Sequence, residues 1–271
     1  MTDEDRTVAD LLRSAVDSAV VPSYRRLADH ERHEKGPGDA VTAADREAEA
    51  IIEAGLRQMA PDSLVVGEEA ASAEPAFLER ARDHETVWFV DPLDGTNNFA
   101  AGIPLFDAMI AKVVGGRTRA AWILDALGGQ MAWAGLGTGA LLDGERLAVA
   151  APEAPARIEG AIALRFFKGG AAGAVAERFD RVGFVMQPRC AALTYLWLAS
   201  GRLHYALYRR LYPWDHVAGA LLHAEAGGYA AHVDGTAYDP FALPLGQGYL
   251  LAPDRALWAA LRDALGLAPT P

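Results

Sequence analysis

Val87-Trp-Phe-Val-Asp91-Pro-Leu-Asp94-Gly-Thr96-Asn-Asn-Phe99 is the stretch on which the reading of this chain turns. Val87–Val90 is apolar, short and rich in β-branched and aromatic residues, so it reads as a buried strand. Two carboxylates follow, Asp91 and Asp94, three residues apart and placed by this reading at the mouth of a sheet. Pro92 fixes the turn between them and removes one backbone donor. Gly95 lets the chain approach a ligand closely. A helix starting at Gly95 or Thr96 aims its first amides where the carboxylates stand. Such amides bind phosphate, and carboxylates bind hard cations such as magnesium. Together they describe a site for a metal-bound phosphate. In isolation the same residues also suit a plain Asp-Gly turn with Asp91 as a helix cap.

The elements around this stretch set the fold class. Val8, Leu11, Leu12, Ala15, Val16, Ala19, Val20, Tyr24 and Leu27 recur at helical spacing, which predicts a helix from Thr7 to about His30. Lys35-Gly-Pro-Gly38 reads as a loop. A second helix is expected from Ala43 to Met59, with Ile51, Ile52, Leu56 and Met59 on one face and Pro61 beyond its end. Leu64–Val66 reads as another buried strand. Asp107–Val114, Arg119–Leu127 and Gln130–Ala134 read as antiparallel strands, and Asp143-Gly144 as a hairpin turn before Arg146–Val149. Helices near Cys190–Ser200 and Asp215–Ala226 flank a strand near His204–Leu207, and Gly227-Gly228 stops the last helix. Layers of helix and sheet follow, an α+β or α/β arrangement. The chain reads as a single domain over 1–271, with a soft boundary near Ala150–Pro155 separating halves of about 1–150 and 151–271.

Composition narrows the function classes. At 271 residues, 51% hydrophobic and 23% charged, the chain is an ordinary globular protein with ample core. No apolar run reaches the roughly 18 residues of a membrane span. MTDEDRTVAD lacks the basic-then-apolar pattern of a signal peptide, so a cytoplasmic location is expected. The single cysteine, Cys190, supports neither an internal disulfide nor a thiolate metal cage. With 25 basic and 36 acidic residues the net charge is −11, which repels nucleic acid backbones over most of the surface, so neither nucleic acid nor membrane is an expected partner. The expected partner is a small anionic molecule, held where metal ions or local donors reverse the sign.

Three further acidic motifs join Asp91 and Asp94. Gly67-Glu68-Glu69 follows the strand Leu64–Val66, so its acids also sit at a strand end. Pro213-Trp214-Asp215 opens a helix, where Asp215 suits either an N-cap or a carboxylate aimed by its stiff neighbours. Asp39-Ala-Val-Thr42-Ala-Ala-Asp45 carries a capping-box spacing at Thr42 and Asp45.

Asp39-x-Val-Thr-x-x-Asp45, Gly67-Glu-Glu69, Asp91-Pro-Leu-Asp-Gly-Thr-Asn-Asn-Phe99, Trp214-Asp-x-x-Ala-Gly219 and Glu225-Ala-Gly-Gly228, in that order, resemble the inositol monophosphatase family over about Lys35 to Gly228. The resemblance implies a layered αβαβα fold, usually a homodimer, and a magnesium-dependent, lithium-sensitive phosphatase using two or three ions, with manganese a substitute. It assigns Glu68, Asp91 and the Leu93 carbonyl to one metal, and Asp91, Asp94 and Asp215 to a second. Four carboxylates against two dications leave the pocket neutral, so phosphate binds after metal. The same resemblance makes Glu68 and Thr96 the residues that orient and deprotonate a water, with Asp45 holding the Thr96 hydroxyl. Gly95 and Thr96 amides hold phosphate oxygens.

The alcohol side departs from that pattern. Relatives that hydrolyse inositol phosphates carry a glutamate seven positions before the last aspartate ligand, where this chain has Tyr208. Arg189-Cys-Ala-Ala192 replaces a small Gly-Ser/Thr-Ala-Ala segment, and Arg209 and Arg210 add charge nearby. Tyr208 and Arg189, with Asp215, are therefore the expected substrate contacts. They favour a ring to stack on or a second negative group, since Arg suits anions and Tyr offers one polar atom on an apolar ring. A sugar or polyol monophosphate is the first expectation. Histidinol phosphate, a 3'(2'),5'-bisphosphate nucleotide and fructose 1,6-bisphosphate are the alternatives. A non-catalytic phospholigand-binding scaffold is the reading from a different class. His204, His216 and His223 lack a zinc spacing, and His216 reads as a helix-surface residue. Gly135-Leu-Gly-Thr-Gly139 lacks the Lys-Ser/Thr ending of a phosphate loop and reads as a strand turn.

Overall fold

The structure is a computed structural model and describes every residue except 27–31, 37–38, 74–75, 154–157, 165–166, 168–170, 242–244 and 268–271. Helix α1 (Asp3–Ala15) starts earlier than Thr7 because Thr2 and Asp5 cap each other reciprocally. Its end is also earlier than expected. The backbone widens into a π turn over Val16–Val20, tightens into a 3-10 turn over Val21–Ser23, and leaves the helix at Tyr24, where ψ is 127°. Pro22 has no amide to continue the α-helical ladder. Leu27 and His30 lie outside the described residues.

Strands β1 (Arg32–Gly36) and β2 (Asp39–Thr42) pair antiparallel, so Lys35 and Gly36 belong to a strand and not to a loop; Pro37 and Gly38 lie outside the described residues. Helix α2 (Ala43–Met59) has the expected bounds. Its fully buried stripe is Ala44, Ala48, Ile52 and Leu56, one residue per turn, with Ile51 and Met59 at the shoulder.

The next stretch builds the first sheet. It comprises β3 (Leu64–Gly67), then α3 (Glu68–Ala73) and α4 (Ala76–Ala81) as a crossover, then β4 (Thr86–Asp94), the short α5 (Thr96–Ala100), β5 (Asp107–Val114), β6 (Arg117–Asp125), β7 (Met131–Gly135), β8 (Gly139–Leu142) and β9 (Glu145–Arg146). Spatial order follows chain order, with β3 parallel to β4 and the remaining pairs antiparallel. Gly135–Gly139 forms the turn between β7 and β8. Asp143 and Gly144 turn the β8–β9 hairpin at φ 49° and 90°, the positive pair a type I′ turn requires. The strand expected over Arg146–Val149 stops at Arg146.

The second sheet contains β10 (Glu159–Ile162), β11 (Phe184–Met186), β12 (Tyr205–Arg210), β13 (Tyr229–His232) and β14 (Leu245–Ala252), in the order β11-β10-β12-β14-β13. Helix α6 (Ala171–Ala176) precedes β11, α7 (Ala191–Ala199) precedes β12, α8 (Pro213–Glu225) follows it, and α9 (Arg255–Ala264) closes the chain.

Strand alternation sorts the core into layers. On β4 and β6, Trp88, Val90, Trp122 and Leu124 face α1 and α2. Val87, Phe89, Ala121 and Ile123 face the other way, onto α7 and α8. On the second sheet Ala206, Tyr208, Tyr249 and Leu251 meet the same two helices from the far side. Tyr205, Leu207 and Leu250 face α6 and α9 instead. The architecture is therefore helix, sheet, helix, sheet, helix. Trp88 and Trp122 have no exposed surface and their rings sit 6.0 Å apart; burying such a side chain stabilises by roughly 3 kcal/mol. Both sheets grip α7 and α8, so groups at their N-terminal ends are held from two sides.

Candidate active site

The site begins with a defect in β4. The strand does not stop at Val90; it runs through the motif to Asp94. Asp91 pairs with Met109 and Asp94 with Asp107, so three steps on β4 oppose two on β5. That extra residue is a β-bulge. Simple alternation would put Asp91 and Leu93 on one face and Asp94 on the other. The bulge instead turns Leu93 into the core below and brings Asp94 to the face of Asp91. Pro92 lies in the bulge, where no ladder amide is required.

Glu68 arrives from the neighbouring strand. Gly67 pairs in parallel with Val90, so Glu68, opening α3, emerges beside Asp91. Asp215 comes from the layer above. It is the third residue of α8 and not its cap: Tyr212 holds the cap position, Pro213 opens the helix, and Tyr212 stacks on Trp214 at 4.8 Å. Oxygens of Glu68, Asp91 and Asp215 lie within 4.8 Å of one another. Burial pushes the Asp91 carboxyl well above the usual carboxylate range, and Glu68, Asp94 and Asp215 push it further. Three like-charged, hard oxygen donors at this separation fit a divalent cation such as magnesium.

Asp94 stands apart from that trio. Its Oδ2 accepts the Ala192 amide at 2.5 Å, and the Cys190 thiol lies 3.4 Å away. Burial raises its pKa to about 6, against those donors. Gly95 adopts φ 90°, and a Cβ there would sit 2.7 Å from the Leu105 carbonyl oxygen, so only glycine fits. Thr96 starts α5, as expected. Its hydroxyl is 3.0 Å from Asp45 Oδ1 and 2.9 Å from the Leu93 carbonyl. Asp45 uses Oδ2 for its own helix, accepting the Thr42 amide at 2.8 Å and the Thr42 hydroxyl at 2.5 Å. The capping role and the Thr96 contact are therefore the two sides of one carboxylate. Burial pushes Asp45 up to about 7, with Glu68 and Glu69 adding to the shift and Thr42 opposing it.

Glu68, Asp91, Leu93, Asp94, Gly95, Thr96, Arg189, Tyr208 and Asp215 all line one cleft; Asp45 lies behind Thr96. Arg189 is exposed at the rim in a left-handed conformation, φ 58°. Tyr208 is largely buried in the cleft wall. Tyr195 stacks on the Tyr208 ring at 5.7 Å and His216 meets it edge-on at 4.6 Å. The Tyr208 hydroxyl is buried beside the Thr194 side chain. Arg210, two residues further along β12, lines the cleft as well. Arg209 points to the opposite face, over the Phe167 ring at 5.3 Å, so it is not part of this site.

His216 is not on the surface. It is 2% exposed, and burial lowers its pKa to about 3, so it is neutral. The Arg210 carbonyl, 2.9 Å from Nε2, is an acceptor only; Nε2 therefore carries the proton and Tyr195 donates to Nδ1 at 3.0 Å. Two more connections escaped the sequence reading. Asn98 donates its amide to the carbonyls of Leu105 and Pro188, both at 2.8 Å, and so ties α5 to the segment carrying Arg189. Glu49, on α2, reaches the start of α3. Both contacts join residues distant in sequence, and an isolated Asn or Glu carries no local signal of that.

A family model described as the inositol monophosphatase family matches residues 3–265. The chain belongs to the inositol monophosphatase family. Nus factor SuhB of Escherichia coli (strain K12) is 32% identical over 212 residues, 76% of each chain. The chloroplastic phosphatase IMPL1 of Arabidopsis thaliana is 31% identical over 217 residues, 76% of this chain and 57% of that protein. Among solved structures, the extragenic suppressor protein suhB from Bartonella henselae superposes with a TM-score of 0.85 at 26% identity, covering 97% of this chain and 98% of that one. The two-sheet inositol monophosphatase fold thus extends over nearly the whole chain. Among the described residues no helix is long and apolar enough to cross a membrane.

Proposed function

We propose that this chain is a magnesium-dependent phosphomonoesterase acting on a small phosphorylated metabolite. The observation that carries the reading is the trio Glu68, Asp91 and Asp215, whose mutual repulsion in a buried place calls for a dication. Glu68, Asp91 and the Leu93 carbonyl would hold one magnesium ion, and Asp91, Asp94 and Asp215 another. When bound, magnesium neutralises phosphoryl oxygens and makes water more acidic.

The chain's own residues supply the rest. The Thr96 hydroxyl spends its proton on Asp45 or on the Leu93 carbonyl, so its oxygen is left as an acceptor for a proton of the attacking water. Glu68 takes the other proton of that water as its oxygen bonds to phosphorus and the ester P–O bond breaks, and solvent water returns a proton to the departing alkoxide. The amides of Gly95 and Thr96 hold the phosphate oxygens against that water, and Asp215 meets the ester oxygen side.

The leaving alcohol would sit between Tyr208, Arg210 and Arg189. A sugar or polyol phosphate remains the first reading of the substrate, with inositol phosphate a poor example because Tyr208 stands where a carboxylate acceptor would be needed. The two guanidinium groups, Arg189 and Arg210, favour an alcohol that also bears an anionic group. Phosphate release from a panel of sugar, polyol, histidinol and bisphosphate esters tests this. The best ester is expected to exceed myo-inositol 1-phosphate in kcat/KM by tenfold or more; a clear preference for inositol phosphate would refute the reading of Tyr208.

Assembly as a homodimer, a cytoplasmic location and a division of labour between the halves 1–150 and 151–271 belong to the same proposal. The Escherichia coli relative bears the name Nus factor. Here the net charge of −11 disfavours direct contact with nucleic acid.

A further inference from the structure

Helix α2 carries a second buried carboxylate one turn beyond Asp45. Glu49 is 7% exposed, and its two oxygens accept the opening amides of α3: Oε2 takes that of Glu69 at 2.8 Å and Oε1 that of Ala70 at 3.0 Å. The residue just before those two is Glu68. Gly67 completes the fit, because a Cβ there would lie 2.3 Å from Glu49 Cδ and 2.5 Å from both oxygens. The space a side chain at 67 would fill is the space the Glu49 carboxylate occupies.

Packing alone does not call for this group. The position follows Ala44, Ala48 and Ile52 into a buried face where an apolar side chain would fit the pattern. Burial pushes the Glu49 pKa up to about 7 and the two amides oppose that shift, so a carboxyl group is kept at this position at a cost in desolvation. Asp45 and Glu49 are four residues apart, about 6 Å along the helix axis. One holds Thr96 and the other holds the turn that begins with Glu68.

We propose that Glu49 is a positioning residue for Glu68: it fixes the backbone from which that carboxylate enters the cleft, and α2 thereby sets the spacing between Glu68 and Thr96. This rests on the reading of Glu68 as a metal ligand, so the test must distinguish the two. Binding of Mn²⁺ to the full-length protein, followed by the loss of its free-ion EPR signal, is compared for wild type, Glu49→Gln, Glu49→Ala and Gly67→Ala. The wild type is expected to bind. Residues that hold a metal ligand in place typically contribute tenfold to a hundredfold to affinity. Glu49→Gln, which keeps the volume and one acceptor, should therefore bind about tenfold more weakly, and the other two more weakly still. The metal concentration for half-maximal turnover should rise in step while the ester KM changes little. If Glu49→Gln folds and binds Mn²⁺ as the wild type does, the inference is wrong and Glu49 is only a helix cap. If the wild type binds no Mn²⁺, the metal reading itself fails and takes this one with it.

Discussion

Thr96 and Asp45 meet at 3.0 Å across 51 positions of sequence, and both are buried. Asp45 is already fixed by its bonds to Thr42 at the start of α2, so Thr96 is held by a group that is itself held. The hydroxyl gains a defined orientation from this pair, and that orientation is what a water-positioning role requires.

Thr96→Ala should therefore lower kcat by roughly a hundredfold while KM changes less than threefold, as expected when an interaction matters mainly in the transition state. Thr96→Ser should recover most of the loss. Steady-state kinetics on both variants decide this; a pure KM effect would make Thr96 a substrate contact instead.

The metal-free protein should lose stability as pH rises from 6.5 to 8. Asp45 and Glu49 have folded-state pKa values raised to about 7 by burial, so their stabilising, protonated forms are lost as pH passes through that value. His216 and His223, held at about 3 and 4 by burial, stay neutral in the folded protein, while the imidazoles of the unfolded chain release protons near 6.5, so they offset part of this loss at the lower end of the window. The slope is at most about 1.4 kcal/mol per pH unit for each group. Urea melts in EDTA should show it, and Glu49→Gln should flatten it. A stability that rises over this range would contradict the burial argument.

Tyr208→Glu restores a carboxylate to the alcohol side. A hydrogen bond to a charged acceptor contributes on the order of 1.5–3 kcal/mol, so kcat/KM for inositol phosphate relative to the best ester should improve by about tenfold or more. An unchanged ratio would show that Tyr208 does not face the alcohol.

Gly95→Ala should cost both stability and activity. The substitution forces φ 90° on a residue with a side chain and pushes its Cβ against the Leu105 carbonyl, 2.7 Å away. Strain of this kind costs about 1–3 kcal/mol. A variant with a wild-type Tm and wild-type turnover would remove Gly95 from the account.

Much of this was legible in the chain. The bounds of α2 and β5, the helix start at Thr96 and the turn at Asp143-Gly144 follow from periodicity and turn chemistry, which are local. The bulge was not legible. Asp91-Pro-Leu-Asp94 reads as the end of a strand, because only pairing with Met109 and Asp107 reveals that the ladder continues around an extra residue. His216 likewise reads as a helix-surface group until β12 and α7 close over it with the Arg210 carbonyl and the Tyr195 hydroxyl. The three arginines were separated only by strand alternation and packing: Arg210 faces the cleft, Arg209 the opposite core, and Arg189 the rim. Spacing alone puts Ile51 and Met59 in the stripe, whereas Ala44 and Ala48, small enough for close helix–sheet contact, take its centre.

The central claim is that Asp91, between Glu68 and Asp215, makes this cleft a metal-dependent phosphatase. Phosphate release from the best ester should be measured for wild type and Asp91→Asn, with saturating magnesium and with EDTA. The account predicts turnover only in the wild type with magnesium, and a folded, inactive Asp91→Asn by circular dichroism. Equal turnover in EDTA, or wild-type turnover by Asp91→Asn at saturating magnesium, would contradict it.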